Sequence, residues 1–338
     1  MFGLVVPGDV NVIIWVAAGR NVGNQFRVWR EPARDRTFNR NSRLRTPRPD
    51  RHATSTPDPP LPPAGFPSPE HCLAGVKTIL DFARAKRAAQ PIVILAAYDA
   101  QMARLLAGTE VDAILVGDSV AMVMHGFPST VHATMEMMCL HTAAVRRGAP
   151  AMVVIADLPF LSMRQGRDAA VRAAGALIQS GATAVKIEGV AGHEDIIGFL
   201  VESGIPVMGH LGLTPQSVHQ LGGHRVQGRT AGAAARLLAE AQILEKRGAF
   251  SLVLECVPAA LAAEISGALA IPSIGIGAGP SPDGQVLVLA DLLGLDAEFR
   301  PRFVRRYAEG HALVHTAVNA FVRDVRAAHF PAPAEVLA

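Results

Sequence analysis

Cysteine is scarce in this chain. Its 338 residues hold three, Cys72, Cys139 and Cys256, odd in number and far apart. That excludes a disulfide framework and a CxxC metal pair, and it fits a reducing, cytoplasmic setting. Long apolar runs are missing as well. No stretch approaches the roughly 20 uninterrupted apolar residues of a membrane-spanning helix. Aromatic residues make up only 5% of the chain, while hydrophobic residues as a whole reach 50%, enough for a sizeable core in one large domain or two ordinary ones. The formal net charge of +3 is no sign of a nucleic-acid partner, because it is unevenly spread. Residues 1–70 carry 10 Arg against 6 acidic residues, whereas the remainder carries 22 basic against 23 acidic residues. The basic character belongs to a tail, and the neutral body offers no phosphate-backbone footprint.

The tail differs in texture from everything after it. Residues 1–70 hold both tryptophans, 11 of the 24 prolines and no lysine, with the run Pro57-Asp58-Pro59-Pro60-Leu61-Pro62-Pro63 near the end. Such a segment forms neither long helices nor central strands and is expected to be a disordered Arg/Pro-rich extension. Its opening lacks the basic n-region of a secretory signal, and its proline load spoils the amphipathic helix of an organellar leader. Residues upstream of the true start are the other reading, and no function is assigned to 1–70. Residues 71–338 are expected to form the catalytic unit.

From about Gly75 a regular alternation sets in. Short apolar runs recur at Ile92–Ala97, Ala113–Val116, Met152–Ala156, Ala184–Ile187, Pro206–Met208, Leu252–Leu254, Ile274–Ile276 and Val286–Leu289. Uniformly apolar, they read as parallel strands buried on both faces. Amphipathic segments lie between them. Val171, Ala174, Leu177 and Ile178 share one helical face ending at Ser180-Gly181; Leu237, Leu238, Ala241 and Leu244 share another ending at Arg247-Gly248. Eight strands alternating with helices predict a (β/α)8 TIM barrel, with a doubly wound open sheet as the rival. Val314, Val318, Phe321 and Val325 predict a C-terminal helix packed on the outside.

The polar residues fall where the strands end. The first six runs lead to Tyr98-Asp99, Gly117-Asp118-Ser119, Asp157-Leu158-Pro159, Glu188-Gly189, Gly209-His210-Leu211-Gly212 and Glu255-Cys256. Lys186 lies two residues before Glu188, on the same side of the sheet. In a barrel these groups share one mouth. Carboxylates crowded there repel unless a cation joins them, and hard oxygens without thiolates point to Mg²⁺ or a similar ion. Each residue also has a bland role: Asp118-Ser119 as a helix cap, Asp157 as a turn, Glu188 and Lys186 as a salt bridge at a solvated strand end. Four such coincidences at four strand ends are less economical than one site. His125, His132 and His141 match no zinc spacing and are read as surface or packing residues. Gly275–Gly279 is followed by Pro280-Ser281-Pro282, not by a helix, so it is no dinucleotide fingerprint; it is read as allowing close backbone approach to a ligand or a neighbour.

Several segments together carry a resemblance. Val116-Gly-Asp-Ser119, His141-Thr-Ala-Ala-Val-Arg-Arg-Gly-Ala-Pro150, Ala156-Asp-Leu-Pro-Phe160, Val185-Lys-Ile-Glu-Gly189, Gly209-His-Leu-Gly-Leu-Thr-Pro-Gln-Ser217, Leu254-Glu-Cys-Val-Pro258, Ile274-Gly-Ile-Gly-Ala-Gly279 and Asp283-Gly-Gln-Val-Leu-Val288 occur in the order found in the ketopantoate hydroxymethyltransferase family. From about Gly75 to about residue 330 the chain closely resembles that family. The resemblance implies a barrel of the phosphoenolpyruvate mutase/isocitrate lyase superfamily. It also implies transfer of a one-carbon unit from 5,10-methylenetetrahydrofolate to 3-methyl-2-oxobutanoate, giving 2-dehydropantoate for pantothenate synthesis. By the same resemblance Asp118, Asp157 and Glu188 lie at a Mg²⁺ centre. Asp118, Ser119, Asp157 and Lys186 hold the keto acid, Glu255 accepts a proton, and His210 matches an active-site position. Members form large homo-oligomers, commonly decamers. The chain departs from the family's usual pattern at Val120-Ala121-Met122, at Gly126-Phe127-Pro128-Ser129-Thr130, at Ser162-Met163 and at its C-terminus. A related carbon–carbon lyase and a barrel without catalysis are the competing readings.

Overall fold

The computed structural model describes residues 77–337. The expected extension 1–70 lies outside the described residues. Within them, eight strands close into a barrel in sequence order: β1 (Ile92–Ala96), β2 (Ala113–Val116), β3 (Val153–Asp157), β4 (Ala184–Glu188), β5 (Val207–Gly212), β6 (Ser251–Glu255), β7 (Ser273–Ile276) and β8 (Gly284–Val288). Every neighbouring pair is parallel, including the closing β1–β8 pair. Closure excludes the open-sheet rival, and the architecture is the (β/α)8 barrel read from the apolar runs.

The runs are apolar because both faces of each strand are covered, the inner by layered side chains and the outer by helices. Ile94, Ile114, Ile155, Ile187, Met208 and Leu211 are among the fully buried side chains. Each such burial contributes about 1.5–3 kcal/mol relative to exposure. The helix Arg167–Gln179 buries Ala170, Ala174 and Leu177, and the helix Ala231–Lys246 buries Ala241 and Leu244. The first ends at Ser180-Gly181 as expected, with Gly181 at φ +107°; a Cβ there would lie 2.6 Å from Arg146 Cγ. The glycine run after β7 serves close packing. A Cβ on Gly275 would meet Pro282 at 2.9 Å, and one on Gly279 would meet Ala259 at 2.6 Å.

The strands run further than the apolar signal does. Asp157, Glu188 and Glu255 are the last residues of β3, β4 and β6, and His210 lies within β5. Their positions are therefore fixed by ladder hydrogen bonds, not left to loops. The C-terminal helix Gly310–Arg326 corrects an expectation. Val314, Val318, Phe321 and Val325 do form one stripe, but it is 46–54% exposed, and Gly310 is the helix's one buried residue. Amphipathicity shows that a helix has an apolar face; it does not say that this barrel covers it. No helix among the described residues is long and apolar enough to cross a membrane.

Candidate active site

The register of the parallel ladder brings the polar strand ends together. Asp157 pairs with Lys186, Glu188 with His210, and Glu255 with Gly212. Residues paired across a parallel sheet point to the same side, so four strands in a row deliver their charged groups to one mouth. Lys186 Nζ lies 3.1 Å from Asp157 Oδ1 and 3.2 Å from His210 Nδ1. His210 continues the chain, its Nδ1 3.4 Å from Glu188 Oε1 and its Nε2 3.3 Å from Glu255 Oε2. The Asp118 backbone N–H donates to Asp157 Oδ2 at 3.0 Å, which joins β2 to the cluster. Gly117 leaves room for this approach, since a Cβ there would sit 2.8 Å from Ser119 Oγ and 3.5 Å from Asp157 Oδ2.

Ser119 opens the short helix Val120–Val123, but its hydroxyl makes no capping hydrogen bond. It pairs with the Tyr98 hydroxyl at 2.8 Å instead. Asp99, one residue beyond Tyr98, is a true cap: its carboxylate accepts from the N–H groups of Gln101 and Met102 at 2.8 and 2.9 Å. The bland reading thus holds for Asp99 and fails for Asp118 and Ser119. His125 and His141 bond to each other through Nε2 at 2.9 Å, and His141 Nδ1 lies 2.6 Å from the Tyr98 carbonyl oxygen, which makes this pair part of the packing behind Tyr98.

Burial sets the electrostatics. Desolvation, with Asp157 and Glu188 adding like charge, holds the Asp118 carboxyl well above the ordinary carboxylate range. Desolvation raises Asp157 as well, against the pull of Lys186. For Lys186 burial acts downward, but Asp157, Glu188 and Asp118 outweigh it and keep the ammonium charged. Burial likewise pushes Glu188 up, and contacts with His210, Lys186 and the Gln216 N–H bring it below its usual value. His210 is pressed down by burial and by Lys186, yet Glu188 and Glu255 carry it up to about 9. Its Nδ1 lies 3.2 Å from Lys186 Nζ, with carboxylates on either side of the pair. Glu255 is the accessible member of the cluster, its side chain 18% exposed against 5% or less for Asp157, Lys186, Glu188 and His210.

Several buried atoms remain without a hydrogen bond, among them Asp157 Oδ1, Glu188 Oε1 and His210 Nε2. Their contacts are ion pairs without hydrogen-bond alignment, and the two unfilled carboxylate oxygens suit a site completed by a ligand. The donor set is hard oxygen, as a small divalent cation requires. Among the described residues no three His, Cys, Asp or Glu side chains converge closely enough to hold a metal by themselves. A Mg²⁺ ion fits these residues on one condition: one or two carboxylates hold it while water and substrate fill the remaining positions, which is its usual habit. Asp118 and Asp157 are neighbours through the Asp118 N–H and would be the carboxylates to hold it, whereas Glu188 faces His210 and the Gln216 N–H.

Two residues of the site were given no role by the strand-end pattern, which includes Tyr98 and leaves out Gln216. Tyr98, one of only two tyrosines in the chain, is buried against Ser119; its rarity at a strand end was the available signal. Gln216 lies in the loop after β5 and donates to Asp118 Oδ2 at 2.8 Å. Its signal was its place in the segment Gly209–Ser217, one of those that carry the family resemblance; the residue type alone gives none. A cleft of about 260 Å³ at the opposite end of the barrel, beside Lys77 and Asp112, contains none of these groups, so cavity size does not locate the site.

Buried carboxylates and a lysine at the C-terminal mouth of a closed parallel barrel define a (β/α)8-barrel enzyme for a small anionic substrate. Comparison with known proteins narrows this. Residues 76–333 match the family model described as ketopantoate hydroxymethyltransferase, and the chain belongs to that family. A 3-methyl-2-oxobutanoate hydroxymethyltransferase of Bdellovibrio bacteriovorus is 51% identical over 260 residues, covering 77% of this chain and 99% of the relative. One from Francisella tularensis subsp. tularensis is 47% identical over 256 residues, covering 76% and 97%. Among solved structures, a putative phosphonomutase from Burkholderia cenocepacia aligns with TM-score 0.53 at 15% identity, covering 73% of this chain and 99% of that one; the likeness is one of fold.

Proposed function

We propose that this enzyme transfers a hydroxymethyl group to 3-methyl-2-oxobutanoate, with 5,10-methylenetetrahydrofolate as the one-carbon donor and Mg²⁺ as the cofactor. The observation that carries the reading is the line of charged groups from Asp157 to Glu255, set by strand register and joined to Asp118 through its backbone N–H, on a chain about half identical to relatives of that name. Glu255 accepts the proton from C3 of the keto acid, because it is the carboxylate open to the mouth. General-base assistance of this kind contributes about 10²–10⁴-fold. His210, 3.3 Å away, orients that carboxylate. Lys186 and Ser119 receive the substrate carboxylate, the ammonium neutralising it and the hydroxyl, held by Tyr98, directing it. Asp118 and Asp157 hold the cation, with Glu188 nearby. Stabilisation of negative charge on the keto oxygen is the chemistry Mg²⁺ supplies when bound.

The product, 2-dehydropantoate, is a precursor in pantothenate synthesis. The catalytic unit is residues 71–338, acting in the cytoplasm. The exposed apolar stripe on helix Gly310–Arg326 supports a homo-oligomer, since so large an uncovered face is costly in a monomer; a decamer is the assembly the family resemblance implies. Neither nucleic acid nor membrane is a partner in this reading.

The test is a coupled assay with ¹³C-methylene-labelled folate, 3-methyl-2-oxobutanoate and Mg²⁺, following label in the product by mass spectrometry. Label in 2-dehydropantoate supports the assignment. Folded, Mg²⁺-supplied protein that moves no label contradicts it.

A further inference from the structure

The loop after β5 crosses the barrel mouth, and its contacts exceed what a connection needs. It leaves the barrel at Gly212, where φ is +96° and a Cβ would sit 2.2 Å from the Glu255 carbonyl oxygen. The next residue, Leu213, donates its N–H to that same oxygen at 2.8 Å. The loop thus rests directly on the backbone of the proton acceptor. Three residues later Gln216 reaches across the mouth. One side-chain nitrogen, Nε2, donates to Asp118 Oδ2 at 2.8 Å and to the Leu158 carbonyl oxygen at 2.9 Å. Its backbone N–H donates to Glu188 Oε2 at 3.0 Å. One residue therefore engages the ends of β2, β3 and β4, and both amide hydrogens of its side chain are used.

The consequence lies in which oxygens are left over. Gln216 occupies Oδ2 of Asp118 and Oε2 of Glu188, and the second oxygen of Glu188 faces His210. A carboxylate tied by one oxygen cannot rotate freely, so the partner's choice of oxygen fixes the direction of the other. Asp118 and Glu188 sit within a cluster of like charge and, without such ties, would turn apart to relieve repulsion. An uncharged donor suits the task. A lysine or arginine at this position would satisfy the carboxylates outright and compete with a cation for them.

We propose that Gln216 is a positioning residue that presents one oxygen of Asp118 to the catalytic cation, the loop after β5 serving as a clasp between the carboxylate side of the mouth and the Glu255 side. The inference rests on the reading of Asp118 as a cation-holding residue. It differs from a packing role in one respect: the donor hydrogens matter, and the bulk does not.

The experiment compares wild type, Gln216→Met and Gln216→Asn. Methionine keeps the volume and loses the donors; asparagine keeps the amide but is one methylene too short. Mn²⁺ binding is measured by electron paramagnetic resonance in the absence of substrates, with circular dichroism as the check on folding. Both variants are expected to bind Mn²⁺ about 10–100-fold more weakly, the usual cost of removing a group that orients a metal ligand. At saturating cation, the rate of C3 hydrogen exchange in 3-methyl-2-oxobutanoate is expected to return to within a few-fold of wild type. Wild-type Mn²⁺ affinity in folded Gln216→Met would overturn the proposal while leaving the cation reading intact. A loss of exchange not rescued by excess cation would also overturn it, because Gln216 would then act on the substrate. Failure of wild type itself to bind Mn²⁺ or Mg²⁺ would overturn both this inference and the cation reading.

Discussion

The barrel mouth and the C-terminal helix break the same rule in opposite directions. At the mouth Asp118, Asp157 and Lys186 are 3–5% exposed, although charged residues are rarely buried. On the helix Leu313, Val314, Val318, Phe321 and Val325 are 46–71% exposed, although apolar side chains favour the interior. Each inversion marks a missing complement. Among the described residues the mouth sets only Lys186 and His210 against four clustered carboxylates, Asp118, Asp157, Glu188 and Glu255, a deficit that the proposed cation would fill. Among the described residues nothing covers the helix's apolar stripe, a face that the proposed homo-oligomer would bury. A single chain thus shows two incomplete surfaces, one shaped by charge and one by area, and they should respond to different perturbations.

Removing the central charge breaks the comparison most severely. Lys186→Met leaves Asp157 without its 3.1 Å partner. The expected cost is about 3–5 kcal/mol of stability in urea unfolding, because a buried carboxylate loses its compensation. Catalysis is expected to fall by at least about 10²–10³-fold, the range for deleting one electrostatic donor. A stable, active Lys186→Met enzyme would mean that the buried charges are not one network.

The mouth should also titrate where the helix does not. In the folded protein His210 is raised from its ordinary 6.5 to about 9, so the stability it contributes is complete below pH 6.5 and is lost as pH rises through about 9. The upward shifts of Asp118 and Asp157 have the same sign, stability being lost as pH rises from the ordinary carboxylate range through their raised values, and the fall above pH 6.5 is that of His210. Unfolding of the metal-free protein should therefore show a fall on the order of 3 kcal/mol between pH 6.5 and 9. Mg²⁺ should flatten that fall by screening the carboxylates. A metal-free stability profile flat across this range would contradict the electrostatic picture.

Ser119→Ala tests a smaller element. It deletes the 2.8 Å contact with Tyr98 and one substrate partner. An increase of about 10–150-fold in KM for the keto acid is expected, equivalent to about 1.5–3 kcal/mol for a hydrogen bond to a charged group. The smallest effect on the barrel itself should come from the helix. Val318→Asp with Phe321→Asp changes two residues already more than half exposed, so monomer stability should move by no more than about 0.5 kcal/mol per site. Light scattering should nevertheless report a smaller assembly than wild type. An unchanged mass would leave the apolar stripe without a partner of its own kind.

The same two regions explain how much was legible in the sequence. The strands announced themselves because burial on both faces leaves an uninterrupted apolar run, and the barrel followed from their number and spacing. Asp157, Lys186, Glu188, His210 and Glu255 were legible as charged residues attached to such runs, where no solvated strand end is needed. Spacing alone did not separate Asp118 from Asp99. Both are aspartates just past a strand, yet one caps a helix and the other donates its backbone N–H to Asp157. Gln216 stood within a segment that carries the family resemblance, but its contacts were illegible, because a polar loop residue looks the same whether it faces water or a carboxylate. The helix showed its apolar stripe plainly, but periodicity carries no information about the surface that covers it.

The groups from Asp118 to Glu255 are expected to make the C3 hydrogen of a 2-oxo acid exchangeable. Proton NMR of 3-methyl-2-oxobutanoate in D₂O with Mg²⁺ and tetrahydrofolate reads this directly, comparing wild type, Glu255→Gln and an EDTA control. The expected result is loss of the C3–H signal with wild type, slowed about 10²–10⁴-fold by Glu255→Gln and abolished by EDTA. Exchange that proceeds equally in the Glu255→Gln variant, or that never occurs in folded, Mg²⁺-supplied wild type, would contradict the account.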